Sequence, residues 1–195
     1  MSLRAVEIEP TDELFRAEQA VAALLTALGR DVTDENLIDT PRRVAESLVE
    51  MLTPREVAFT TFPNTDEYTD LVLVRDIPFT SLCEHHLLPF RGVAHVGYLP
   101  ADRLVGLSKL ARVVDLFARD LQVQERLTVQ IARWLQTHLE PNGVGVVLEA
   151  EHLCMSLRGI KAVGATTITS SFLGELAESA PLRARFGINE IGTHE

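Results

Sequence analysis

The chain has only two cysteines, Cys83 and Cys154, among 195 residues. That scarcity excludes a disulfide framework and leaves a single bridge, two buried thiols or a metal site. No run approaches the ~18 apolar residues of a membrane helix. The opening residues Met1-Ser2-Leu3-Arg4-Ala5-Val6-Glu7 lack the basic-then-apolar pattern of a secretory signal. A cytoplasmic location with reduced thiols is the expectation, and it favours metal over disulfide. Positive charge is also scarce: 18 Lys and Arg face 28 Asp and Glu, a net charge of −10. Such a field argues against general binding to nucleic acid or to a membrane surface. It also repels an anionic substrate, so a pocket for one must gather its cations locally. No solenoid-length repeat and no low-complexity tract occurs.

What is present is a concentration of soft ligands. Cys83-Glu84-His85-His86 is answered far along the chain by His152-Leu153-Cys154. Two thiols and three imidazoles suit a divalent zinc ion, which prefers sulfur and nitrogen in a tetrahedral arrangement. Cys83 and His86 stand at i and i+3, so a tight turn or a helical turn brings both to one metal. His152 and Cys154 stand at i and i+2, so on a strand they share a face. A catalytic zinc site uses three protein ligands and leaves the fourth position to water. Two histidines then remain as acid and base beside the metal. A closed four-ligand site using His85 or His152 is the rival arrangement.

The hydrophobic pattern gives an α+β order. Leu14, Ala17, Val21, Leu24, Leu25 and Leu28 recur at helical period before Gly29. Thr40-Pro41 predicts a capped helix start, with Val44, Leu48, Met51 and Leu52 following up to Pro54. Residues 1–55 thus form a helical region and 56–195 the main domain. Strands are predicted over 71–77 and 91–99, the second carrying His95 as a hydrogen-bonded or surface histidine. Two helices follow, one from Gly106 with Leu107, Leu110, Val114, Phe117 and Leu121 inward. The next runs from Val123 to Leu139 with Leu127, Ile131, Trp134 and Leu135 inward. A strand over 144–150 runs into His152 and Cys154, another spans 160–172, and a short helix lies near 181–186. Two strands, two helices and two strands make an antiparallel sheet with helices on one face. Ser108, Lys109 and Arg112 avoid the buried stripe near a helix start, a combination suited to an anion.

These motifs together resemble GTP cyclohydrolase I. The resemblance rests on Ser81 through Phe90 and on Gly106-Leu107-Ser108-Lys109 with Arg112. It continues in Gln122-Val123-Gln124-Glu125-Arg126-Leu127-Thr128 and in Glu149-Ala150 through His152, Cys154-Met155 and Arg158-Gly159. Thr40-Pro41 with Arg43 looks like the family's upstream helix, and the likeness spans residues 10–175. Asp120, Ala165 and the tail from Leu182 depart from the family pattern.

The resemblance implies a tunnelling fold: a four-stranded antiparallel sheet per subunit, closed into a barrel by five copies and stacked as a decamer with interface active sites. It implies zinc-dependent hydrolysis of GTP to 7,8-dihydroneopterin triphosphate and formate, the first step of pterin- and folate-type biosynthesis. It implies Cys83, His86 and Cys154 as zinc ligands, with an acidified water attacking guanine C8. His85 and His152 are then the proton-transfer groups, and Glu84 orients a histidine or a ligand. Glu125 reads guanine, supported by Gln124. Ser108, Lys109, Arg112 and Arg158 contact triphosphate and ribose, joined by Arg43 from a neighbouring subunit. A diverged purine ring-opening enzyme on this scaffold and a non-catalytic zinc-stabilised module are the alternatives.

Overall fold

The computed structural model describes residues 12–187, so the opening segment read for a signal and the tail beyond Gly187 lie outside the described residues. The chain divides into two compact units at Pro54 and Arg55. The first holds α1 (Asp12–Ala27) and α2 (Thr40–Leu52). Helix α1 carries the expected stripe from Leu14 to Leu25 and ends at Ala27, so Leu28 falls in the turn that follows. In α2, Thr40 is the first helical residue and Asp39 occupies the cap position without a side-chain cap bond. Asp39 accepts instead from Arg43 Nη2 at 3.1 Å. Pro41 sits in the first turn, where its missing N–H costs nothing.

The second unit runs β1 (Thr61–Pro63), β2 (Val72–Cys83), β3 (Pro89–Leu99), β4 (Arg103–Val105), α3 (Leu107–Ala118), β5 (Leu121–Gln122) and α4 (Gln124–Leu139). It continues through β6 (Gly143–His152), α5 (Leu153–Ser156), β7 (Thr167–Gly174), α6 (Glu175–Glu178) and α7 (Ala180–Ala184). β1 and β4 form a small antiparallel pair. The main sheet has the order β5-β2-β3-β6-β7. Its four long strands are antiparallel neighbours, and β5 adds a two-residue parallel edge beside β2.

Alternation along the central strands sorts their side chains onto two faces. Phe90, Ala94, Val96 and Tyr98 of β3 join Val144, Val146, Leu148 and Ala150 of β6 on one face. They pack on Leu110, Val113, Val114 and Phe117 of α3 and on Leu127, Ile131 and Leu135 of α4. Leu107, expected inward, is 59% exposed because it opens α3 before the helix reaches the core. The opposite face carries a smaller cluster of Leu71, Leu99, Val147, Leu176 and Phe186. Gly97 and Gly145 are paired across β3 and β6, and the Phe186 ring lies over them. Burying that ring contributes roughly 1.5–3 kcal/mol.

The strand expected from residue 160 begins only at Thr167. Gly159, Lys161 and Gly164 have φ of 60°, 51° and 80°, which no extended strand can accommodate. The intervening chain is a turn-rich loop that leaves Ile160 and Val163 each 80% exposed.

Candidate active site

Strand register gathers the soft ligands at one end of the sheet. β2 and β3 are joined by a tight turn in which Leu87 N–H donates to Cys83 O at 2.9 Å and Cys83 N–H to Leu88 O at 2.9 Å. This turn carries Cys83, His85 and His86. The pairing of Phe90 with His152 sets the end of β6 beside the start of β3. The pairing of Cys83 with Gln122 brings the β5–α4 junction to the same corner. Strand register thus brings three segments remote in sequence to one corner.

The ligand atoms of Cys83, His86 and Cys154 all lie within 4.8 Å of one another. Cys83 is buried, Cys154 half-buried and His86 exposed. Both thiols are free. The His-x-Cys segment is not a continuous strand: β6 ends at His152, and Cys154 stands on the helical turn of α5. That turn takes Cys154 off the strand, so the two side chains are not aligned on one strand face. Burial, and then the adjacent Cys83 sulfur, push the Cys154 thiol up, with Arg158 acting the other way. Two neighbouring thiolates repel, and a divalent cation is what relieves the repulsion. Two sulfurs and one imidazole nitrogen in mutual reach therefore fit a metal ion with an open position.

A cavity of about 250 Å³ adjoins this trio, lined by Cys83, His85, His86, Gln122, Val123, Gln124, Glu125, His152, Cys154, Met155 and Thr167. The His152 ring stacks on Phe90, with centroids 4.8 Å apart and planes 3° from parallel. Its Nε2 is 2.8 Å from Gln124 Oε1. Burial pushes the His152 imidazole down from the ordinary histidine value, and Glu125 pulls it partly back. His85 is exposed, with Nε2 3.6 Å from Glu84 Oε1.

Of the sequence-predicted residues, Cys83, His85, His86, Gln124, Glu125, His152 and Cys154 line this cavity. Glu84 sits in the adjoining turn. Ser108, Lys109, Arg112 and Arg158 do not line it. Arg112 lines a separate cavity of about 310 Å³ with Arg55, Glu56, Val57 and Asp115. Arg43 lies on α2 in the other compact unit, paired with Asp39 at 3.1 Å. One residue that sequence reasoning left without a role is Arg126. Its guanidinium donates to Glu84 Oε2 at 2.7 Å, to Gln122 Oε1 at 2.9 Å and to Leu121 O at 2.6 Å. The signal was its place four residues after Gln122 and next to Glu125, but no local pattern indicated the contact with Glu84.

An antiparallel sheet backed by two long helices, with a thiol–imidazole trio beside a cavity at its end, defines a tunnelling-fold protein with a metal-capable centre. The chain belongs to the GTP cyclohydrolase I family, whose model matches residues 17–189. Among its relatives is GTP cyclohydrolase 1 of Allorhizobium ampelinum, 52% identical over 175 residues, covering 87% of both chains. GTP cyclohydrolase 1 of Brucella anthropi is 51% identical over 175 residues, covering 87% of this chain and 82% of its own. Among solved structures, the apo archaeosine synthase QueF-Like superposes with a TM-score of 0.43 at 17% identity, covering 53% of this chain and 93% of that one. Among the described residues no helix is long and apolar enough to cross a membrane.

Proposed function

We propose that this protein hydrolyses GTP to 7,8-dihydroneopterin triphosphate and formate with zinc held by Cys83, His86 and Cys154. The observation that carries the reading is the cavity itself. It combines three mutually close soft ligands with two further imidazoles, His85 and His152, and the Glu125 carboxylate. A purely structural metal site has no need of spare imidazoles beside a cavity.

When bound, the zinc supplies a Lewis acid that brings the pKa of a water toward neutrality, giving the nucleophile for guanine C8. Glu125 accepts hydrogen bonds from guanine N1–H and the exocyclic amine, which orients C8 toward the metal trio. His85 and His152 give and recover the protons required at a purine nitrogen and at the furanose oxygen. Glu84, beside His85 and tied to Arg126, holds the turn that carries His85 and His86.

Among the described residues, no Lys or Arg lines this cavity. A nucleoside triphosphate needs convergent cations. Ser108, Lys109, Arg112, Arg158 and Arg43 supply them in this reading, some from neighbouring subunits of a decamer built as two stacked pentamers. The two-unit description, a helical region up to about residue 55 and a catalytic domain from 56, fits that division of labour.

The test is incubation of the zinc-loaded protein with GTP and identification of every product. Stoichiometric formate and a pterin that fluoresces after oxidation are expected. A formamidopyrimidine as the sole product, or no turnover at full zinc occupancy, would sink the proposal.

A further inference from the structure

Gln124 was expected beside Glu125 as a guanine contact, but its carboxamide faces the chain's own interior. The residue is 1% exposed. Its Nε2 donates toward Thr167 O at 2.9 Å, Leu148 O at 3.1 Å and Thr169 Oγ1 at 3.1 Å. Two of these acceptors are backbone carbonyls, which can only accept. The amide therefore cannot be flipped without pressing its oxygen against two carbonyl oxygens. Thr128 Oγ1 lies 2.7 Å from both Gln124 O and Thr169 Oγ1. With Thr128 donating to Gln124 O, Thr169 donates to Thr128 and accepts from Gln124, so every hydroxyl in the ring has a consistent direction.

This fixes the identity of the atom that faces His152. Gln124 Oε1 is the acceptor, 2.8 Å from His152 Nε2. A carbonyl oxygen at that distance requires a hydrogen on Nε2. The parallel Phe90 ring holds the plane of the imidazole beside this partner. We infer that Gln124 is a positioning residue which locks His152 in its Nε2–H tautomer. Nδ1 is thereby the ring nitrogen left without a hydrogen.

The inference rests on the proposed reaction for its catalytic meaning, but the tautomer itself does not depend on turnover. It also accounts for the Gln-Glu pair that opens α4. The first residue orients the histidine and the second is left to read the base.

The experiment is two-dimensional ¹⁵N–¹H correlation on zinc-loaded, substrate-free protein with ¹⁵N-histidine, using His152→Ala to assign the His152 signals. The expected pattern is a protonated, pyrrole-type Nε2 and an unprotonated, pyridine-type Nδ1. A protonated Nδ1 with a bare Nε2 would overturn the inference, whatever any variant does. Gln124→Met tests the consequence. Zinc content is expected to stay full, the His152 pattern to become a tautomer mixture, and kcat to fall about 10–100-fold with KM for GTP within about twofold. A tenfold rise in KM with an unchanged His152 pattern would assign Gln124 to guanine contact instead. A wild-type protein inactive on GTP but showing the expected His152 pattern would sink the proposed reaction and support the tautomer assignment.

Discussion

Arg126 Nη2 stands 2.7 Å from Glu84 Oε2 and so ties the first turn of α4 to the hairpin turn that carries His85 and His86. The same guanidinium holds Gln122 Oε1 and Leu121 O, so one side chain braces both flanks of the metal trio. Arg126→Ala removes all three contacts, the one to buried Gln122 included, and leaves the apolar core intact. Zinc affinity is expected to fall about tenfold, with the fold retained. Competition against a chromophoric chelator measures this; unchanged affinity would deny Arg126 its bracing role.

Ligand and proton-transfer roles separate by substitution. Cys154→Ala removes one of two sulfurs and is expected to abolish stable zinc binding. His152→Ala leaves the trio whole, so zinc stays while turnover drops about 10²–10⁴-fold. Metal analysis of the two purified variants, beside a GTP assay, decides the matter. The opposite pattern would refute the assignment.

The glycine pair on the second face of the sheet is a packing requirement. A Cβ on Gly145 would overlap Phe186 Cζ and stand 2.9 Å from Phe172 Cδ1 and Cε1. Gly145→Ala is expected to destabilise the protein by about 1–3 kcal/mol. The cost should shrink in a Phe186→Ala background, since the blocking ring is then gone. Urea unfolding of the two single variants and the double variant measures the coupling, and strict additivity would argue against the socket.

His95 gives a pH dependence with a definite sign. It is 7% exposed on β3, and its Nδ1 accepts from Asp76 N–H at 3.2 Å, which requires that nitrogen to be unprotonated. Burial holds the imidazole below its ordinary value, Asp76 and Glu149 oppose the shift, and Arg75 adds to it. The folded state thus binds fewer protons than the unfolded one below about pH 6.5. Stability is fully present above that pH and is lost as pH falls. His95→Asn keeps an acceptor without a titrating group, so its urea midpoint should drop less than wild type between about pH 7 and pH 5. Equal drops would show that His95 is not a source of the dependence.

Much of the architecture was legible locally. The stripes of α1 and α4 follow helical period, and the alternating strands β3 and β6 fall within a few residues of their expected ranges. His95 is hydrogen-bonded, as its place in a strand suggested. The strand expected from residue 160 failed because its apolar residues imitate a strand while Gly159, Lys161 and Gly164 turn the backbone. Leu107 failed because helical period marks a face but not how far along the helix the core extends.

By itself the sequence determined the kinds of ligand available, their grouping in two short segments, and the alternation of strands and helices that brings distant segments together. Those properties are local, because residue chemistry and hydrophobic period need only near neighbours. Tertiary structure alone decided that Cys154 leaves the strand for a helical turn, that Arg126 reaches Glu84, and that Gln124 turns inward to hold His152. Each of these depends on which polar atoms become neighbours across the sheet. That is set by strand register and by the demand that buried hydrogen-bonding groups find partners, and neither is written in any one stretch of chain.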